Sequence, residues 1–218
     1  SANSEIKIQA WGVLCNLASL MDNKKEIWGM VSVPDLADVL KASLGSANSE
    51  LKIQAWGLLV NLAFFTDNQK EIWGMVRDDS KIADTLKAAL GSDNSELQTR
   101  AWRLLGNIAF PTDNQKEIWG MVSDPDLVDT LKATLGSGNS EVQIRSWGLL
   151  GNLSYLRDNR NEIWGMVSDP GFIDTLKAAL GSANSEIKIQ AWGLLGKQVF
   201  LRDNKKEIWG MVSDPGFI

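Results

Sequence analysis

A block of about 45 residues recurs five times along this 218-residue chain, and that repetition limits the possible folds more than any other feature. The opening Ser1-Ala2-Asn3-Ser4-Glu5 restarts at Ser46, Ser92, Ser137 and Ser182. The repeats are therefore 1–45, 46–91, 92–136, 137–181 and 182–218, the last one incomplete. The ten Trp fall two per repeat. A unit of this length cannot bury an apolar face by itself, whereas stacking on neighbours of the same kind buries a continuous core, so the pattern points to a solenoid. The second repeat carries one extra residue within Arg77-Asp78-Asp79-Ser80-Lys81, where others read like Ser123-Asp124-Pro125. That insertion is expected in a loop.

Each unit parses into three helices. In the second repeat a long helix is expected from about Ser49 to Phe64, because Leu51, Ala55, Leu58, Leu59 and Leu62 fall on one helical stripe. A short helix follows Asp67-Asn68, with Asn68 and Glu71 at capping-box spacing and Ile72, Trp73 and Val76 on the buried side. The third opens at an acidic cap before proline, in Asp124-Pro125, Asp169-Pro170 and Asp214-Pro215. It carries Leu127, Leu131 and Leu135 and stops at Gly136. The expected fold is all-α, a single α-solenoid domain over 1–218. Neither end carries the atypical polar unit that caps a free solenoid, so the chain reads as a segment of a longer array.

Composition removes several classes of function. With 22 Lys+Arg against 27 Asp+Glu the net charge is −5, so no nucleic-acid coating and no binding to anionic lipid is expected. There is no His and one Cys, Cys15, which excludes imidazole acid–base chemistry, His- or Cys-built zinc sites and intrachain disulfides. No apolar run approaches the roughly 18–20 residues that span a bilayer. The start lacks the basic flank and apolar stretch of a signal peptide, so the expected setting is intracellular, cytoplasmic or nuclear. No paired-carboxylate or phosphate-loop signature is present, and neither enzyme activity, a metal nor a cofactor is expected. The pairs Asp22-Asn23 and Asp203-Asn204 lack calcium-loop spacing and read as helix caps. The glycine in Trp73-Gly74 and its counterparts reads as a close-packing point, and Gln198, in a column of Leu and Ile, as a relaxed terminal interface.

The run from Asn48 to Ala63, NSELKIQAWGLLVNLA, resembles the third helix of armadillo repeats. The following DNQKEIWGMV and LVDTLKAALGS-type segments are similar to the first and second helices of the next armadillo unit, with HEAT repeats the near alternative. The resemblance covers all five copies. It implies a right-handed superhelix whose long helices line a concave groove for extended peptides or partner proteins. It also implies an Asn ladder that holds peptide backbone, here at Asn16, Asn61, Asn107 and Asn152, with Lys197 in that column of the fifth copy. The family's groove Trp lies four residues before the Asn. Here that column reads Gly12, Gly57, Arg103, Gly148 and Gly193, and the Trp stands one residue earlier. One residue turns a helix by about 100°, so the ring moves toward the buried arc and the aromatic ladder does not carry over.

Both Trp columns are expected in the core, where each ring would contribute an upper bound of about 4–6 kcal/mol by area. The Asn column has two readings, contact with a ligand and stitching to a neighbouring carbonyl, and one residue can do both. Opposite the apolar arc lies a polar strip: Gln9 in the first copy, Gln54 in the second, Arg100 and Arg103 in the third, Arg145 in the fourth. Arg suits bidentate capture of carboxylate, although Arg100 and Arg145 also have Glu partners on their own helices. Phe64, Phe110, Tyr155 and Phe200, just past the Asn column, have no assigned place.

The expected function is a non-catalytic scaffold for protein or extended peptide, favouring acidic ligands at mid-groove, with Asn16, Asn61, Asn107, Asn152, Gln9, Gln54, Arg100, Arg103, Arg145 and Lys197 as contacts. The alternative is a structural spacer or rod assembling end to end as a homo-oligomer, since near-identical units expose at one end what they bury inside.

Overall fold

The computed structural model describes residues 2–213, and these are helical without a strand. They fall into two compact units, Ser1–Pro111 and Thr112–Ile218. The first holds α1 (Ala2–Leu17), α2 (Asn23–Val31), α3 (Pro34–Leu44), α4 (Ser49–Leu62), α5 (Thr66–Asp78), α6 (Ser80–Leu90) and α7 (Ser95–Ile108). The second holds α8 (Thr112–Val122), α9 (Pro125–Leu135), α10 (Ser140–Leu153), α11 (Arg157–Val167), α12 (Ile173–Leu180), α13 (Ser185–Gln198) and α14 (Arg202–Val212). In the first unit the long helix α4 packs between α1 and α7, and in the second α10 packs on α13. Among the described residues no helix is long and apolar enough to cross a membrane.

The recurring Asn-Ser-Glu starts the long helices. Asn48 and Asn94 accept from the backbone N–H of Leu51 and Leu97 at 3.0 Å, and Asn139 and Asn184 do the same for the first turns of α10 and α13. Each thereby satisfies a backbone donor that the helix itself leaves without a partner. The stripe on α4 packs as its spacing demands: Leu51, Ala55, Trp56, Leu58, Leu59 and Leu62 are all buried. Burial also takes in Gly57 and Val60, because α4 is flanked on both sides. On α1, with one neighbour of its kind, the counterparts Ile6, Val13 and Leu17 are exposed.

The Trp columns are core in the first four copies and not in the fifth. Trp11, Trp56, Trp102 and Trp147 are buried, as are Trp28, Trp73, Trp119 and Trp164, whereas Trp192 is 40% and Trp209 71% exposed. The second column also links repeats by hydrogen bonds. Trp28 Nε1 donates to Glu71, Trp119 to Glu162 and Trp164 to Glu207, each at 2.6 Å. Bonds to an ionised acceptor are shorter and stronger than neutral ones.

Several local expectations are corrected. The extra residue of the second repeat is not in a loop: it lengthens α5 to Asp78, and Asp79 then caps α6 by accepting from Lys81 and Ile82. Asn68 is no capping-box residue either. The helix starts earlier, at Thr66, and Asn68 is buried inside it, donating to Leu62 O at 3.1 Å and Lys24 O at 3.2 Å. Asn159 repeats this with Leu153 O and Gln115 O. Asn68 and Asn159 thus supply inter-repeat bonds, whereas Asn23 donates to Leu17 O and Asn204 to Gln198 Oε1 within their own repeats, and Asp22 stands at the N-cap of α2 without a side-chain bond. No cluster of metal-ligating side chains occurs among the described residues. Asp124-Pro125 opens α9 as expected, but α12 starts only at Ile173. There Gly171 follows Pro170 and its N–H bonds to Asp169 in a turn, consistent with the low helix propensity of glycine. Asp214-Pro215 lies outside the described residues. The glycines after the second Trp are not close-packing points, since a Cβ at Gly74 would meet only Asp78 Oδ2 at 4.0 Å and one at Gly29, Gly120, Gly165 or Gly210 nothing within 4 Å. Gln198 is buried, donates to Ser154 Oγ and accepts from Asn204, both at 3.2 Å.

Candidate functional site

The polar strip forms the accessible side of the long helices. Within the first unit Gln9 and Asn16 are exposed on α1, Gln54 and Asn61 half-buried on α4, and Arg100, Arg103 and Asn107 half-buried on α7. The second unit places Arg145 and Asn152 on α10 and Lys197 on α13, all half-buried. Successive copies interlock along the strip through glycine. A Cβ at Gly12 would lie 3.9 Å from Gln54 Oε1, and one at Gly148 only 3.3 Å from Gln190 Oε1. At Gly57 it would meet Arg100 Nη1 at 1.8 Å, so the guanidinium occupies the space that a side chain would fill.

Arg100 is therefore a staple as well as a surface charge. Its Nη1 donates to Ile53 O at 2.8 Å across the repeat boundary, and its Nη2 to Glu96 at 2.6 Å. Arg145 pairs with Glu141 on its own helix, through Nε at 2.9 Å and Nη2 at 2.5 Å. Both pairs are partly exposed, where an ion pair contributes little net stability.

The Asn column is bonded on one side. Asn61 Nδ2 donates to Cys15 O at 2.9 Å and Asn107 Nδ2 to Val60 O at 3.1 Å, so each amide reaches the previous long helix. The Oδ1 atoms of both accept no hydrogen bond among the described residues. Stitching is thus present, and it leaves an acceptor at the surface. Burial pushes the Cys15 thiol up in pKa, with Arg100 and Lys24 opposing, which keeps the sulfur protonated beside Asn61. In the fifth copy Lys197 replaces Asn, and its ammonium lies 4.4 Å from the centre of the Tyr155 ring. Burial lowers its pKa.

The aromatic column past the Asn is exposed, from 45% at Phe64 to 76% at Phe200. Cations lie over its rings: Arg103 at 5.3 Å and Lys24 at 6.0 Å from Phe64, and Arg160 at 5.9 Å from Phe200. The residues beneath are helix-end anchors. Lys24 donates to Ala18 O, Gln69 to Ala63 O and Arg160 to Ser154 O. Sequence reasoning gave this column no role. The available signal was an aromatic at one position in four of five copies, where an interior residue would follow the apolar stripe and this one does not. The candidate site therefore sets the Asn column beside an exposed aromatic edge.

Side-by-side long helices, each followed by two shorter ones, define an armadillo-type helical-repeat fold. No protein-family model matches the sequence, and no curated protein matches it. Solved structures do. An engineered protein from the Northeast Structural Genomics Consortium is 29% identical, with a TM-score of 0.71 over 91% of this chain and 75% of its own. A designed armadillo repeat protein in complex with the peptide (KR)4 is 18% identical, with a TM-score of 0.71 over 89% of this chain and 76% of its own. A computationally designed armadillo repeat protein for modular peptide recognition is 16% identical, with a TM-score of 0.71 over 90% and 77%.

Proposed function

We propose that this chain is a non-catalytic scaffold that binds extended peptide along the polar strip of its long helices. The observation carrying the reading is the state of Asn61 and Asn107. Each is fixed by its own Nδ2 bond and retains an Oδ1 acceptor for a peptide N–H. One designed armadillo neighbour in complex with the peptide (KR)4 and another for modular peptide recognition support the same use of this fold. Acidic ligand groups are favoured at Arg100, Arg103 and Arg145, where a ligand carboxylate competes with Glu96 and Glu141 for guanidinium donors.

The test begins with peptides selected from a random displayed library on the wild-type chain. Asn61→Ala with Asn107→Ala is expected to weaken them about tenfold. Arg100→Gln with Arg103→Gly and Arg145→Gln installs residues that other copies already carry, and should flatten the salt dependence of binding to acidic peptides. Unchanged affinity in the Asn variant discards the ladder, and an unchanged salt slope in the Arg variant discards the acidic preference alone.

One observation favours the second reading, end-to-end assembly: Trp192 and Trp209 line an exposed apolar cleft at the fifth repeat, where earlier copies bury the same columns. Sedimentation over a concentration series is expected to show association if that surface is used. A monomer at every concentration removes the rod.

A further inference from the structure

The first and fifth repeats expose different columns. On α1, Ile6, Val13 and Leu17 are 69%, 57% and 46% exposed, while their counterparts in every later copy, such as Leu51, Leu58 and Leu62 on α4, are buried. These columns face the preceding repeat, and α1 has none before it in this chain. In the fifth copy Ile189 is 64% exposed, and Trp192 and Trp209 line an open cleft of about 300 Å³. Ile144, Trp147 and Trp164 of the fourth copy are buried, so these columns face the following repeat. Each face therefore lacks what the other presents.

The inter-repeat hydrogen bonds are open in the same complementary way. Trp28 donates to Glu71 and Trp164 to Glu207, each to the Glu 43 residues further on. Trp209 Nε1 and the Glu26 carboxylate lack that partner, and neither has another hydrogen bond among the described residues. Asn68 bonds to Leu62 O and, one repeat back, to Lys24 O. Its counterpart Asn23 makes only the bond within its own repeat, to Leu17 O at 3.0 Å. The residue that matches Lys24 in the fifth copy is Lys205, which lines the cleft.

We propose that the fifth-repeat face docks the first-repeat face of a second copy of this chain, in the register that already joins consecutive repeats. Trp209 Nε1 then donates to the second copy's Glu26, and the second copy's Asn23 donates to Lys205 O. The inference rests on the end-to-end reading above and assigns its contacts. Continuity with the internal interfaces names the occupant, and the bond from indole to ionised carboxylate fixes a register that apolar columns alone leave loose. Such a heterologous contact leaves one face of each kind open, so growth passes the dimer. In dilute solution the copies separate and Trp209 returns to water.

At about 0.15 M salt, where repulsion between acidic copies is screened, sedimentation of the wild type should show mass rising with concentration past the dimer. Ile6→Glu with Val13→Glu blocks one face, and Ile189→Glu with Trp209→Glu the other. All these residues are exposed, so both variants keep the fold, which thermal melts check. Each variant alone should stay monomeric, and the two mixed should form a one-to-one complex through the faces left intact. In that complex, Trp209→Phe on the first variant and Glu26→Ala on the second should each weaken binding about tenfold, and together little more than either. A wild type that is monomeric throughout overturns the assembly and its register together. Association persisting in either blocked variant, a mixture that does not pair, or additive losses at Trp209 and Glu26 overturns the register and leaves assembly standing in another form.

Discussion

Trp56→Ala is expected to lower the unfolding free energy by about 3–5 kcal/mol, while Trp209→Ala changes it by no more than about 0.5 kcal/mol. Both residues belong to columns that hold Trp in every copy, so repetition alone gives them equal weight. Burial separates them. Trp56 has no exposed surface and lies on α4, which is packed between α1 and α7, so removing the indole leaves a cavity that a helix interface cannot readily close. Trp209 is largely in water already. One effect moderates the first number: Trp56 Nε1 is buried with no hydrogen-bond partner among the described residues, and truncation removes that unfavourable donor. Trp147, whose Nε1 donates to Leu135 O at 3.1 Å, has no such offset. Chemical denaturation of the two Ala variants checks the contrast. Similar losses in both would mean that Trp209 is covered in solution.

The helices were legible because their signals are local. Asn48, Asn94, Asn139 and Asn184 cap α4, α7, α10 and α13 as their place before Ser-Glu implies, and the stripe of Leu on α4 is the buried one. What stayed hidden depends on the neighbouring copy. Asn68 is positioned like a cap within its own repeat, and only the nearness of Lys24 O, one repeat back, explains why it is buried. The same holds for Gln198, which departs from its apolar column. Its partner Ser154, one repeat earlier, departs from the Ala that the first three copies hold in that column, so two polar exceptions in adjacent copies mark one contact. Gly57 and Arg100 form another such pair. The polar strip could be drawn on a helical wheel, but the wheel cannot show that Arg100 reaches over Gly57 to Ile53 O. The exposed aromatic edge escaped for a related reason: it begins where the long helix stops, and helical periodicity assigns no face beyond that point.

Asn68→Asp changes a single group, NH2 to O, and is expected to destabilise the chain by about 3–5 kcal/mol at neutral pH. In the wild type Nδ2 joins two carbonyls, Leu62 O at the end of its own long helix and Lys24 O on the previous repeat. A carboxylate there faces two acceptors without a donor, and the ammonium of Lys24 is committed to Ala18 O. Burial among carbonyl oxygens raises the introduced carboxyl's pKa in the native state above its unfolded value near 3.9. For an acid raised in this way, the native state binds the proton more tightly than the unfolded chain does. Stability is then highest below the unfolded pKa and falls as pH rises toward the native one. The variant should regain much of its deficit on acidification toward about pH 4, where the protonated group can still donate one bond. Asn68→Ala, with nothing to titrate, should show a smaller and pH-independent loss of about 2 kcal/mol. Melting temperatures of the two variants between about pH 4 and pH 8, each referred to wild type at the same pH, separate these outcomes. A flat difference for Asn68→Asp would show that the amide is not the group holding the two repeats together.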